Sequence, residues 1–378
     1  MSTRALRPLS AVVASSVALL LAGCGGGDSE DSGASSNAAP ASTPSKPIGQ
    51  TKGPNGETAV PLTELKLTED EVAKLKAGNH TAAFSWHQSS TFVSAVTRGA
   101  EDEFGRLGID VVATANANFE AGKQRSDIES ILARKPDALV GLPVDPVAAA
   151  SAFKQVADQD VQVALLSNVP EGFKAGRDYT SVVTDDLVQM GQQAADALAA
   201  AMDRKGKLAY FFHDAEYYVT NQRDQAFLKT IETNYPDIEV VAKQGIADPA
   251  QAESQASGVI TRNPDLAGAY ATFSQPVGEG VLSALRSNSS DAKLVSLDLD
   301  EPLALDMAKD GNTAALVADL AYDLGKALAD SAAYGILGKD APPFVVAPAV
   351  TVTRANLVDG YRESLRDKPS SDVIEALG

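Results

Sequence analysis

Two stretches of this 378-residue chain hold residue types and spacings suited to chemistry: Trp86-His87-Gln88-Ser89-Ser90, and the acidic pair Asp298 and Asp300 with Asp319 further on. The first offers stacking and hydrogen-bonding groups, and the second offers carboxylates able to move protons. A third string, "FHDAEYYVTNQRDQ", places His213, Asp214 and Glu216 close together. These could ligate a metal only if three or four donors converged, and no metal or other cofactor is expected. The chain holds no G-x-S-x-G elbow, no phosphate-binding G-x-x-x-x-G-K and no H-E-x-x-H. "GEG" at Gly278 to Gly280 falls inside a helical pattern after Pro276, where it cannot form a dinucleotide turn.

These residues need elements to hold them. "TAAFSW" is a continuous apolar run ending at Trp86, and Phe92, Val96, Ala100, Phe104 and Leu107 then recur on one helical face. The polar and aromatic cluster therefore lies between a strand and a helix. The same alternation repeats through "IDVVATA", "DALVGLP", "VQVALLS", "KLAYFFH", "IEVVAKQ", "LAGAYATF" and "AKLVSLDL", with helices between. Apolar strands without polar alternation imply an α/β fold with parallel sheets covered on both faces. About 300 residues exceed one core, so two lobes are expected. Asp145 before Pro146, and Asp248 before Pro249, read as helix N-caps.

In such sheets ligands bind outside the carboxyl ends of the strands. Those ends carry Trp86 to Ser89, Asn116, Asp145, Ser167, Asn168, Asp214, Gln244, Ser274, Gln275, Asp298, Asp300 and Asp319. Caps account for part of this polar set; the aromatic and paired members exceed what capping needs.

The N-terminus is different. "MSTRALRPLSAVVASSVALLLAGC" has two arginines, then an apolar run too short to span a bilayer, and reads as a secretory signal. Leu21-Ala22-Gly23-Cys24 resembles the lipobox of bacterial lipoproteins, which implies cleavage before Cys24 and a lipid on its thiol, with attachment to the outer face of the cytoplasmic membrane, in a periplasm or at a cell surface. Cys24 is the only cysteine, so internal disulfides and cysteine zinc sites are excluded. Losing residues 1–23, with Arg4 and Arg7 and no acid, takes the formal charge from −18 to −20 and argues against nucleic-acid partners. Residues 24–61 read as a disordered tether, and residues 62–78 as a short leading helix with Thr68 and Glu71 as a capping box.

The element order from Thr81 to about Ala355, with "FVSAVTRGAEDEFGRLGIDVV", "LVGLPVDPVAAASAFKQV", "NQRDQAFLKTI" and "LVSLDLDEPLALDMAKDG", resembles the ribose-type (type I) periplasmic sugar-binding proteins. The resemblance implies two Rossmann-like lobes joined by a three-strand hinge, residues 79–184 with 320–347 and residues 185–319 with 348–367. It further implies a monomer that closes on a sugar or polyol and delivers it to the permease of an ABC importer, without being an enzyme. By the same resemblance the first strand-to-helix loop gives Trp86, His87, Gln88, Ser90 and Phe92 to the ligand, with Asn168, Ser274, Asp298 and Asp319 at later strand ends. Sugars present CH faces and hydroxyl edges, which suit aromatic, amide and carboxylate partners. Trp86 has a competing place in the core, and Asp319 one as a cap or hinge bond.

The chain departs from the ribose pattern at two places: Ser167-Asn168 stands where an Asp-Arg pair is usual, and Asn221 where a ligand arginine is usual, with Arg223 beside it. Fewer guanidinium contacts and several carboxylates point away from ribose itself, towards another monosaccharide, a polyol or a ligand with a cationic group. Tyr217 and Tyr218 are candidates for an opposite aromatic wall. A receptor for a sugar-like signal and a secreted hydrolase remain alternatives.

Overall fold

The structure is a computed structural model and describes residues 45–378. The signal segment, Cys24 and the first part of the expected tether lie outside the described residues.

The elements run β1 (Val60–Pro61), α1 (Glu69–Ala77), β2 (Thr81–Trp86), α2 (Thr91–Leu107), β3 (Asp110–Asn116), α3 (Ala121–Leu132), β4 (Ala138–Gly141), α4 (Ala150–Ala157), β5 (Gln162–Leu166) and β6 (Val182–Asp185). The chain then crosses to α5 (Leu187–Ala201), β7 (Gly206–His213), α6 (Tyr218–Asn234), β8 (Ile238–Ile246), α7 (Ala252–Arg262), β9 (Leu266–Ala271), α8 (Glu279–Ser287), β10 (Lys293–Leu297), α9 (Glu301–Ala308) and β11 (Thr313–Ala318). It returns through α10 (Ala321–Ile336) and β12 (Phe344–Ala347), and ends in β13 (Val350–Val352), α11 (Leu357–Leu365) and α12 (Ser371–Leu377).

Two sheets result. The first has the order β1-β12-β6-β5-β4-β2-β3 and is parallel throughout. The second has the order β13-β11-β10-β9-β7-β8 and is parallel except for β13, which runs antiparallel to β11. Buried runs such as β4, with every residue inside, follow from helices on both faces. In the first lobe α2 crosses α10 closely because each brings a glycine to the contact: a Cβ on Gly99 would stand 2.0 Å from the Tyr322 carbonyl, and one on Gly325 would stand 2.0 Å from that of Val96. Thr68 caps α1, with Glu71 returning the bond, and Asp145 and Asp248 accept from backbone N–H groups in the turns that follow them.

The lobes meet where the chain crosses between sheets: after β6, after β11, and between β12 and β13. Asp185 and Asp319 sit at two of these crossings, so charge on them is placed on the hinge.

Three expectations need correction. The tether does not extend to residue 61, because residues 45–61 form a strap laid across both lobes. Lys229 on α6 donates to the Ile48 carbonyl at 2.9 Å, Gln192 on α5 holds Ser45, and Thr51, buried, donates to Asp186 and accepts from the Val188 N–H at 2.9 Å. Beyond the crossing, Tyr179 donates to Glu57 at 3.5 Å and β1 adds an edge strand to β12. The polar composition looked disordered because its partners are hydrogen-bonding groups distant in sequence rather than a core of its own. At the other end the fold continues past residue 367: α12 packs on α9, with Val373 fully buried. The helix expected from Pro146 starts later, at Ala150, after a turn.

Thr51→Val keeps the shape but removes both strap bonds, leaving Asp186 and the Val188 N–H short of a partner. It is expected to cost about 1–3 kcal/mol of stability in urea unfolding; an unchanged midpoint would mean that the strap does not hold the hinge.

Candidate functional site

The carboxyl ends of the two sheets face each other across a cleft, at the points where strand order reverses beside β2 and β4 in one lobe and beside β7 and β9 in the other. The lobes touch over it: the Val219 N–H donates to Asn168 Oδ1 at 3.2 Å, and Thr91 Oγ1 lies 3.5 Å from Asp300 Oδ1. The water-fillable volume between them is about 70 Å³. At about 10–15 Å³ per water position this holds roughly five to seven waters, the bulk of one monosaccharide ring and too little for an oligosaccharide.

The N-lobe wall comes from the β2–α2 loop. Ser90 accepts from the Val93 N–H at 3.1 Å and starts α2, which fixes His87, Gln88 and Phe92 along the cleft. His87 meets Phe119 edge-on at 5.3 Å. The opposite wall has His213 between Tyr217 (5.1 Å) and Phe273 (5.5 Å, edge-on). Burial, with a neighbouring positive group as a smaller cause, lowers His87 to about 3 and His213 to about 4, so both rings are neutral at physiological pH. His213 bonds Thr220 at 3.0 Å while Asp214 and Glu216 are exposed, so these three do not converge on a metal.

The floor is ionic. Arg223, on α6, lies 3.0 Å from Asp298 and 4.0 Å from Asp319, and Asp319 is within hydrogen-bonding reach of Asp185. Burial opposes the Arg223 charge, but Asp298 and then Asp319 outweigh it and raise its pKa. Burial raises Asp185 to about 6 against the lowering effect of its hydrogen bond with Asp319 and of the Arg223 charge, and burial with a neighbouring carboxyl lifts Asp319 and Asp298 well above the carboxylate range. Asp298 keeps 20% of its side chain open to the cavity, so water tempers its rise more than that of Asp319 at 3%. Asp300, beside Glu279, is pushed up to about 7 by burial and that neighbour. Asp298 and Asp300 thus answer to different partners.

Several lining residues bring a buried polar atom with no partner among the described residues: His87 Nδ1, Asn168 Nδ2, Asp185 Oδ1, Tyr217 OH, Arg223 Nε, Gln275 Oε1, Asp300 Oδ2 and Asp319 Oδ2. Buried polar atoms are normally paired, so this concentration makes the cleft the candidate ligand site.

His87, Gln88, Ser90, Phe92, Asn168, Arg223, Ser274, Asp298 and Asp319 line the cavity. Trp86 does not: it is 2% exposed and stacks on Phe84 at 5.4 Å. Alternation along β2 puts residues 84 and 86 on the same, core-facing side. Asn221 also lies outside the lining; Arg223, two residues on, is the guanidinium that reaches the cleft. Ser274 lines it but donates its hydroxyl to the Leu297 and Asp298 carbonyls, both at 2.8 Å, and so holds the turn in which Asp298 adopts φ 69°. Tyr218 packs edge-on against Phe344 and donates to Lys52 of the strap, leaving Tyr217 as the wall. Sequence reading missed Phe119 and Phe273 at the wall, and Asp224, which accepts from the His213 N–H, Tyr270 and Thr272 at 2.7–2.9 Å and fixes the floor from below; Gln275, expected at a strand end, lines the wall. The "NQRDQ" string held that signal, since a buried Arg-Asp pair on one helix has to have partners.

A model of the periplasmic binding protein domain matches residues 82–340. The chain belongs to the periplasmic binding protein family. Proteins of this family are extracytoplasmic solute-binding components of transport systems. The ribose import binding protein of Bacillus subtilis is 26% identical over 262 residues, 69% of this chain and 82% of that one. A solute-binding protein of Agrobacterium radiobacter in complex with D-arabinose is 25% identical, with a TM-score of 0.67 over 77% of this chain and 99% of its own. One from Agrobacterium vitis bound with α-D-tagatopyranose has a TM-score of 0.68 at 23% identity, over 77% and 100%, and supports the fold. Among the described residues no helix is long and apolar enough to cross a membrane.

With Trp86 in the core, Trp86→Ala is expected to lower unfolding stability by about 3–5 kcal/mol in the absence of any ligand. A variant as stable as the parent would put the ring back in the cleft.

Proposed function

We propose that the chain captures one small polyhydroxylated solute, a monosaccharide or polyol, between its lobes and delivers it to the permease of an ABC importer. The concentration of unpartnered donors and acceptors on both walls of a monosaccharide-sized cavity carries this reading. Hydroxyl groups both give and accept, so one ring can satisfy Asn168 and Arg223 as acceptor while donating to Gln275 and the aspartates. Phe92, Phe119, Tyr217 and Phe273 supply apolar faces for its CH groups. His87, Gln88, Ser90, Phe92, Asn168, Arg223, Asp298 and Asp319 are the proposed contacts, with Ser274 positioning Asp298. The relatives' named ligands, ribose, D-arabinose and tagatopyranose, are all of this size.

In this reading the protein works as a monomer, tethered outside the cytoplasmic membrane by lipid on Cys24, and ligand binding stabilises the closed state by touching both lobes. Only a ligand that binds the closed state better can shift that equilibrium.

Thermal unfolding against a panel of monosaccharides, polyols, their amino derivatives, amino acids and dipeptides tests it. One polyhydroxylated compound is expected to raise the melting temperature with concentration, with about 2.7 kcal/mol of added stability at a hundredfold excess over Kd. Asn168→Ala should weaken that compound about tenfold or more. A response confined to amino acids or dipeptides would overturn the proposal.

A further inference from the structure

The cleft floor holds three carboxyl groups, Asp185, Asp298 and Asp319, around one guanidinium. Among the described residues no other cation lines the cavity: His87 and His213 are neutral, and the remaining charged lining group, Asp300, is itself an acid. Asp185 and Asp319 are 1% and 2% exposed, line the cavity and lie within hydrogen-bonding reach of each other, and one buried oxygen of each has no donor among the described residues. A buried excess of carboxylates is stable only with shared protons or with an added cation. A neutral sugar brings hydroxyl donors but no charge. A quaternary ammonium brings charge but no N–H, leaving both oxygens unsatisfied. A primary ammonium brings the charge and three donors, and the aromatic side chains around the cavity favour a cation beside them. The unpartnered Asn168 Nδ2 and Arg223 Nε still require ligand acceptors, which hydroxyl oxygens provide.

We infer that the solute is a monosaccharide-sized polyol bearing a primary ammonium group, an amino sugar or aminocyclitol, seated with its nitrogen against Asp185 and Asp319. This rests on the proposed function and narrows its ligand class. The departures from the ribose pattern acquire a reason: an ammonium needs carboxylates and is repelled by additional guanidinium groups.

Titration calorimetry of the full chain with matched pairs tests it: D-glucosamine with D-glucose, D-galactosamine with D-galactose, and an inositol amine with myo-inositol. In one pair the amine is expected to bind at least about tenfold tighter than its neutral partner, and N-acetylation should remove that advantage. Asp319→Asn should erase the amine's advantage, bringing the affinities of the amine and its neutral partner to within about threefold of each other. Asp185→Asn serves the same purpose if the first variant does not fold. A neutral sugar binding as tightly as its amine would overturn the inference and leave the proposed function standing. Silence from every pair, with binding of an amino acid or dipeptide instead, would overturn both.

Discussion

A buried guanidinium governs this molecule. Arg223 is 5% exposed and is reached by Asp298 and Asp319, with Asp185 joined to Asp319 behind them. Without the cation three carboxyl groups could not be brought to the point where the chain crosses between lobes, because each would have to shed its charge or find water. With it, the ends of β6, β10 and β11 meet in one place. Asp224, the next residue on α6, repeats the device one layer down by tying β7 and β9 together through backbone and hydroxyl donors. The electrostatics of the cleft and the construction of the hinge are therefore one system.

That coupling bears on function through motion. Asp185 and Asp319 lie on crossing segments, so a ligand that neutralises or hydrogen-bonds them acts on the hinge as well as on the walls. The strap adds a second constraint from outside, running from α5 and α6 to β12 and spanning the crossing at Thr51. An opening lobe has to slide against this segment or release it.

The repeating strand–helix order was readable because continuous apolar runs and capping residues act locally. The β2–α2 loop was readable as part of the cleft wall for the same reason: His87, Gln88 and Ser90 break an apolar pattern at a strand end. What was hidden depended on direction or distance. Trp86 has the composition of a sugar platform, but strand alternation turns it to the core. Asn221 and Arg223 are two residues apart on a helix, and only the helix's rotation decides that the arginine faces the cleft. The strap lacks apolar periodicity because its stability comes from bonds to residues more than a hundred positions away. Phe119 and Phe273 fall in loops where no periodic signal exists.

Urea unfolding near pH 7 of Arg223→Gln, Asp298→Asn and the double variant tests most directly whether the guanidinium makes the acidic floor possible. Arg223→Gln is predicted to lose about 3–5 kcal/mol, with part of the loss returned when Asp298 is neutralised in the same chain. If the two losses simply add, or if Arg223→Gln unfolds like the parent, the carboxyl groups are held by something other than this cation and the account of the cleft fails.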